Sequence, residues 1–292
     1  MLSTLPVNRF LFTCLTLASL SASALPALAT QTGASSWQDI SDGYKVTWSP
    51  ADLRAVPVKA PDRIVFSAKQ TAKIQFGHMH EDQSHCLETR EFRLLSLVGS
   101  IMSYADSTNG TCQDTQHPFG ETEYVAINLR QGGIPAKLTD IFFPEDIYKA
   151  LIADKVIQKA LEQSGAQPEN FDQLEEAFAN GISVSTTDAQ RAEPLCFKIS
   201  SDFLNHFAFH HIDSNKVWVR IGLAGTDDCR SQLTEIGITL PMPQSLQEEL
   251  TAADLGRHGV LMKDTDRRAR IIHTSFSFAS SNEHKRTARA TK

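Results

Sequence analysis

Residues 123–130 alternate between aliphatic and polar positions. Val125, Ile127 and Leu129 are apolar, whereas Glu123, Asn128 and Arg130 are polar, the period-two pattern of a half-buried strand. Gln131, Gly132 and Gly133 end it. Residues 134–143 are too apolar for a free loop and are interrupted by Pro135, which predicts a buried corner that delivers Pro144 to a helix start. From Glu145 the period becomes 3.6: Ile147, Leu151, Ile152, Val156, Ala160 and Leu161 share one face, and Gly165 is placed to stop a single helix. The rest of the chain is expected to pack around this unit.

Upstream, residues 44–48 alternate as a strand, residues 50–61 hold three prolines and read as a connector, and residues 63–67 and 72–76 are short strand candidates. Residues 92–104 suit two strands or one long bent strand, with Gly99 as a bulge. Residues 105–120 read as a turn-rich loop. Downstream, residues 168–179 predict a second helix, with Phe171, Leu174 and Phe178 on one face. Residues 183–192 form a polar separator. Residues 195–199, 203–212, 216–223 and 234–240 are strand candidates, with a tight turn at residues 213–215, and residues 243–253 are a closing helix. Together these predict an α+β fold, a mostly antiparallel sheet with two to three packed helices.

The N-terminus changes the compartment. Arg9 precedes an apolar run over residues 10–20, and Ala27-Leu28-Ala29 is an A-x-A cleavage signal, the pattern of a secretory signal peptide. Eleven residues are too few to span a bilayer. The expected organisation is a signal peptide over residues 1–29, an N-terminal strand and connector over 30–62, an α+β domain over 63–256 and a basic tail over 257–292. Export leaves Cys86, Cys112, Cys196 and Cys229, an even number that predicts two disulfides. Of the three connectivities, the short loops Cys86–Cys112 and Cys196–Cys229 are favoured. The net charge of −6 hides an asymmetry, because residues 257–292 carry nine Lys or Arg against three Asp or Glu. The acidic body and the export signal argue against nucleic acid as a partner.

Three groups of residues carry candidate chemistry. His78, His80 and His85, with Glu81 and Asp82 between them, could hold zinc or copper through nitrogen and oxygen ligands, with Glu81 as general base to a metal-bound water. Asp114 and His117 lie in the 105–120 segment and are candidate binding residues there. His206 and His210 would share one face of a strand whose other face carries Phe207 and Phe209, with His211 beside them. No G-x-S-x-G, S-x-x-K, H-E-x-x-H or C-x-x-C motif is present.

Residues 92–98, His117-Pro118, residues 124–129 and the corner Leu138-Thr139-Asp140-Ile141-Phe142 with its helix resemble the extracytoplasmic domain shared by the RsiV anti-sigma factor and the PdaC peptidoglycan deacetylase. The order of an aromatic strand, hairpin, strand, proline and short helix over residues 197–250 is similar as well. The resemblance spans about residues 63–252. It implies an α+β sheet domain without catalytic residues of its own, which binds lysozyme in the anti-sigma factor; here it would be that domain exported alone.

The resulting expectation is a periplasmic or secreted, non-catalytic cell-envelope binding protein. Its partner would be an envelope polymer or an extracytoplasmic protein, such as a lysozyme-type or peptidoglycan-related ligand, and no cofactor is required. The alternative is a metal-dependent periplasmic hydrolase built on the 78–85 cluster, for which zinc would be the cofactor.

Overall fold

The computed structural model describes residues 35–77, 86–112, 119–179, 181–186, 195–225 and 231–279. The chain opens with β1 (Trp37–Ser41), β2 (Tyr44–Ser49), β3 (Asp52–Pro57) and β4 (Phe66–Ser67), an antiparallel sheet in that order. Asp42 and Gly43, with φ of 48° and 78°, make the β1–β2 turn, the Asp-Gly pair that two-residue hairpins favour.

Two expectations fail in this region. The proline-flanked connector contains β3, whose Leu53 and Ala55 are fully buried; Pro57 is its last residue, where the missing N–H costs least. Residues 72–76 belong to helix α1 (Ala68–Gly77) and not to a strand. Ser67 Oγ accepts from Gln70 N and Asp52 Oδ1 accepts from Lys69 N, so two side chains satisfy backbone donors of the first turn and start a helix there.

The central sheet is built from β5 (Cys86–Val98), β6 (Ile101–Cys112), β7 (Phe119–Asn128) and β8 (Ile134–Pro135). Gly99, at φ 56°, turns the β5–β6 hairpin. The bulge lies elsewhere, between Leu94 and Ser96. Residues 105–112, expected in a loop, continue β6. Asp114 and His117 lie outside the described residues, as do His78, His80 and His85.

The expected single helix is two, α2 (Pro144–Ala153) and α3 (Lys155–Ser164). Asp154 leaves helical geometry at ψ 129°, and its carboxylate accepts from the backbone N–H groups of Val156 and Ile157. That capping ends one helix and begins the next. Gly165, at φ 73°, stops α3 as expected. Next come α4 (Phe171–Ala179), β9 (Ile182–Thr186), which runs into the expected polar separator, and β10 (Leu195–Ile199). β11 (Phe207–Asp213), β12 (Lys216–Gly222), β13 (Ser231–Gln232), β14 (Glu235–Pro241) and α5 (Gln247–Asp254) follow. The last elements, α6 (Met262–Arg268) and β15 (Thr274–Ala279), fall in the segment expected to be a basic tail. β15 pairs along β5 from Thr274 opposite Phe92 to Ala279 opposite Leu87, so only residues 280–292 of that segment lie outside the described fold.

The strand orders are β15-β5-β6-β7-β8, β11-β12-β14, β13-β10-β9 and β1-β2-β3-β4. All named pairs are antiparallel except β10 with β13, and the architecture is mixed α+β. The described residues hold six α-helices, more than the two to three expected, because the Asp154 break, α1 and α6 were not anticipated.

The central sheet is buried on both faces. Phe92, Leu94, Met102, Tyr104 and Ile127 pack against Trp48, Leu53 and Phe66 of the N-terminal sheet and Ala72 of α1. Val98, Ile101 and Ala126 pack into a second core with Ile147, Leu151, Phe178, Phe207, Phe209 and Val219. This corrects the half-buried reading of residues 123–130, since Tyr124, Ala126 and Ile127 are all buried although they point to opposite faces.

Cys86 and Cys196 are each disulfide-bonded. Cys86 stands opposite Cys112 in the β5–β6 register, while Cys229 lies outside the described residues. No described helix is long and apolar enough to cross a membrane.

Candidate functional site: an acidic cleft at His206

The start of β7 projects polar residues from the sheet. Glu121 and Glu123 are two apart and therefore share one face of the strand. Against this edge lies a short 3-10 turn, Phe203–Asn205, whose Phe203 and Leu204 are buried and whose C-cap is His206. With the end of β12, these segments enclose a cleft of about 200 Å³ lined by Glu121, Glu123, Tyr124, Asp202, His206 and Gly222.

His206 organises the cleft. Its Nδ1 lies 2.5 Å from the carbonyl oxygen of Tyr124 and 3.5 Å from Glu123 Oε1, and its Nε2 lies 3.3 Å from Asp202 Oδ2. Each ring nitrogen therefore faces oxygens placed to accept from it. The His206 side chain is only 14% exposed, whereas Glu123 and Asp202 are 55% and 57% exposed. The imidazole forms the wall and the carboxylates form the rim.

Burial raises the Glu123 carboxyl above the ordinary glutamate range, His206 pulls it down, and Asp106, Glu121 and Asp202 raise it further. For Asp202 burial acts upward, but a hydrogen bond with Ser200, the charge of His206 and its own backbone N–H together hold it below the usual aspartate range. The cleft thus joins one carboxylate that is costly to ionise to one that ionises readily.

Gly222 gives the floor its shape. A Cβ at this position would come within 2.9 Å of Cβ and Cγ of Tyr124, so a larger residue would displace the tyrosine. Tyr124 Oη donates to Glu235 Oε2 at 2.5 Å. Burial, then this hydrogen bond, pushes its hydroxyl well above the ordinary tyrosine range. On the neighbouring strands of the same sheet, Asp106 of β6 stands opposite Glu123 and is held by Arg90 of β5 through two hydrogen bonds, Nε to Oδ1 at 3.2 Å and Nη2 to Oδ2 at 2.8 Å.

The three histidines of residues 203–212 are arranged differently from the expectation. His206 precedes β11 and does not share a strand face with His210. A register shift between Phe209 and His211 brings His210 and His211 together instead. Burial, followed by the charges of Arg220 and His211, lowers the His210 pKa. Glu121, Glu123 and Asp202 were not singled out from the sequence, although the i, i+2 pair Glu121/Glu123 is a visible signal. Among the described residues, no group of three or more His, Cys, Asp or Glu is placed to hold a metal ion. No protein-family model, curated protein or solved structure matches the chain.

Proposed function

We propose that this protein is an exported, disulfide-stabilised binding module whose acidic cleft takes a primary ammonium group of a cell-envelope polymer. The observation that carries the reading is the charge imbalance of the cleft, where Glu121, Glu123 and Asp202 face the single imidazole of His206. An ammonium ion would offset the burial and the mutual repulsion that raise the Glu123 pKa and would offer donors to the rim oxygens.

Export is supported by the signal-peptide pattern of residues 1–29 and by the disulfide-bonded state of Cys86 and Cys196, which fits an oxidising compartment. In this reading Cys86 pairs with Cys112, its partner in the strand register, and Cys196 pairs with Cys229. The order β5, β6, β7, corner and α2, followed by β11, β12, β14 and α5, is in keeping with the suggested likeness to the RsiV and PdaC extracytoplasmic domain.

Cosedimentation with insoluble peptidoglycan tests the proposal. Retention is expected on material with free peptide amines, and loss of retention after those amines are acetylated. Equal retention on both materials would overturn the ammonium assignment.

A further inference from the structure

β11 carries two consecutive histidines, and consecutive residues of a regular strand point to opposite faces. Here they meet. The register with β12 runs Phe207 to Ile221, Ala208 to Arg220, Phe209 to Val219 and then His211 to Trp218, which leaves His210 as the extra residue of a β-bulge. Bulges re-aim side chains in this way. The result places His210 Nδ1 2.7 Å from His211 Nδ1, with the two rings nearly perpendicular at 76°. Trp218 stacks on the His211 ring with centroids 5.2 Å apart and planes 16° from parallel, which fixes one half of the pair. Both histidines are partly exposed.

We propose that His210 and His211 form a binding site for divalent copper, chelated through their two Nδ1 atoms. Imidazole nitrogens about 2.0 Å from an ion lie about 2.8 Å apart at a right angle and about 3.3 Å apart at a tetrahedral angle. The separation of 2.7 Å matches the square arrangement, which copper(II) prefers, and copper(II) also heads the affinity order of the divalent first-row ions. Water or an oxygen donor completes the coordination.

Of the charged groups that act on His210, the Arg220 guanidinium opposes positive charge and the Asp266 and Glu235 carboxylates favour it; Arg220 is itself paired with Glu235 at 3.6 Å. Chelation of a neutral pair releases no net proton: the imidazole that holds its hydrogen on Nδ1 in the hydrogen-bonded pair changes tautomer to the Nε2–H form, which frees both Nδ1 atoms for the metal. A hydrogen bond between two imidazoles explains the same distance without any metal, so the test must separate the two accounts.

Trp218 supplies the readout. The full mature protein, with its disulfides intact, is titrated with copper(II) chloride in a non-chelating buffer while tryptophan emission is followed. Saturable quenching at one equivalent is expected, and the quenched component should be missing in Trp218→Phe. His210→Gln and His211→Gln should each raise the half-saturation concentration by about tenfold or more. A triple variant with His78→Ala, His80→Ala and His85→Ala should leave the titration unchanged. Electron paramagnetic resonance of the unsubstituted protein at one equivalent should show two coupled nitrogens, a readout independent of any variant's folding. Quenching that survives both glutamine variants, or a spectrum without two nitrogen ligands, would overturn the site and leave the pair as a hydrogen bond.

Discussion

Glu123 Oε1 lies 3.5 Å from His206 Nδ1 and joins β7 to the turn that precedes β11, two segments far apart in sequence. The contact places a partly buried carboxyl beside Asp106, Glu121 and Asp202. With a folded-state pKa above its unfolded value, Glu123 favours the folded state fully below the unfolded pKa, and that contribution is lost as pH rises through the folded one. At neutral pH the ionised group therefore opposes folding. Glu123→Gln is expected to be more stable than the native chain at pH 7, with the gain shrinking toward pH 4; urea denaturation at the two pH values measures it. A gain of the same size at both would contradict the assignment.

The Arg90–Asp106 pair is 14% and 6% exposed on its two sides, so removing either charge leaves the other buried without its partner. Asp106→Asn is expected to cost about 3 kcal/mol. Replacing both residues by apolar ones of similar volume should recover most of that loss. A double variant no more stable than Asp106→Asn would show that the pair contributes more than its mutual compensation.

Asp154 provides the capping oxygen at the break between α2 and α3, with Oδ1 2.8 Å from Val156 N and 3.1 Å from Ile157 N. Asp154→Ala is expected to lower stability by about 1 kcal/mol. Thermal melts followed by circular dichroism would show it, and an unchanged midpoint would mean that water satisfies these donors equally well.

The same residue shows where sequence reading succeeds and where it stops. The 3.6-residue period from Ile147 to Leu161 identifies helix, and Ile147, Leu151, Ala160 and Leu161 are buried as expected, but past the break Ile157 is fully buried where the period placed Val156. The break depends on the conformation of Asp154 alone, and no pattern carries it. Likewise, alternation around Val125 and Ile127 identifies β7, but burial of its second face depends on β11 and β12, nearly 80 residues away in the chain. Proline at Pro50, Pro57 and Pro61 hid β3, and the cap from Ser67 turned an alternating stretch into α1. The cleft was less legible still. His206, Glu123 and Asp202 meet only through tertiary packing, and the pairing of His210 with His211 depends on a bulge.

The central claim is that the cleft holds a cation between Glu123, Asp202 and His206. Isothermal titration of the protein with a peptide bearing one free primary amine, compared with its N-acetylated form, addresses it directly. The account predicts saturable, salt-sensitive binding of the free amine only, weakened about tenfold (about 1.4 kcal/mol) in Glu123→Gln. Equal binding of the two peptides, or an affinity untouched by Glu123→Gln, would contradict it.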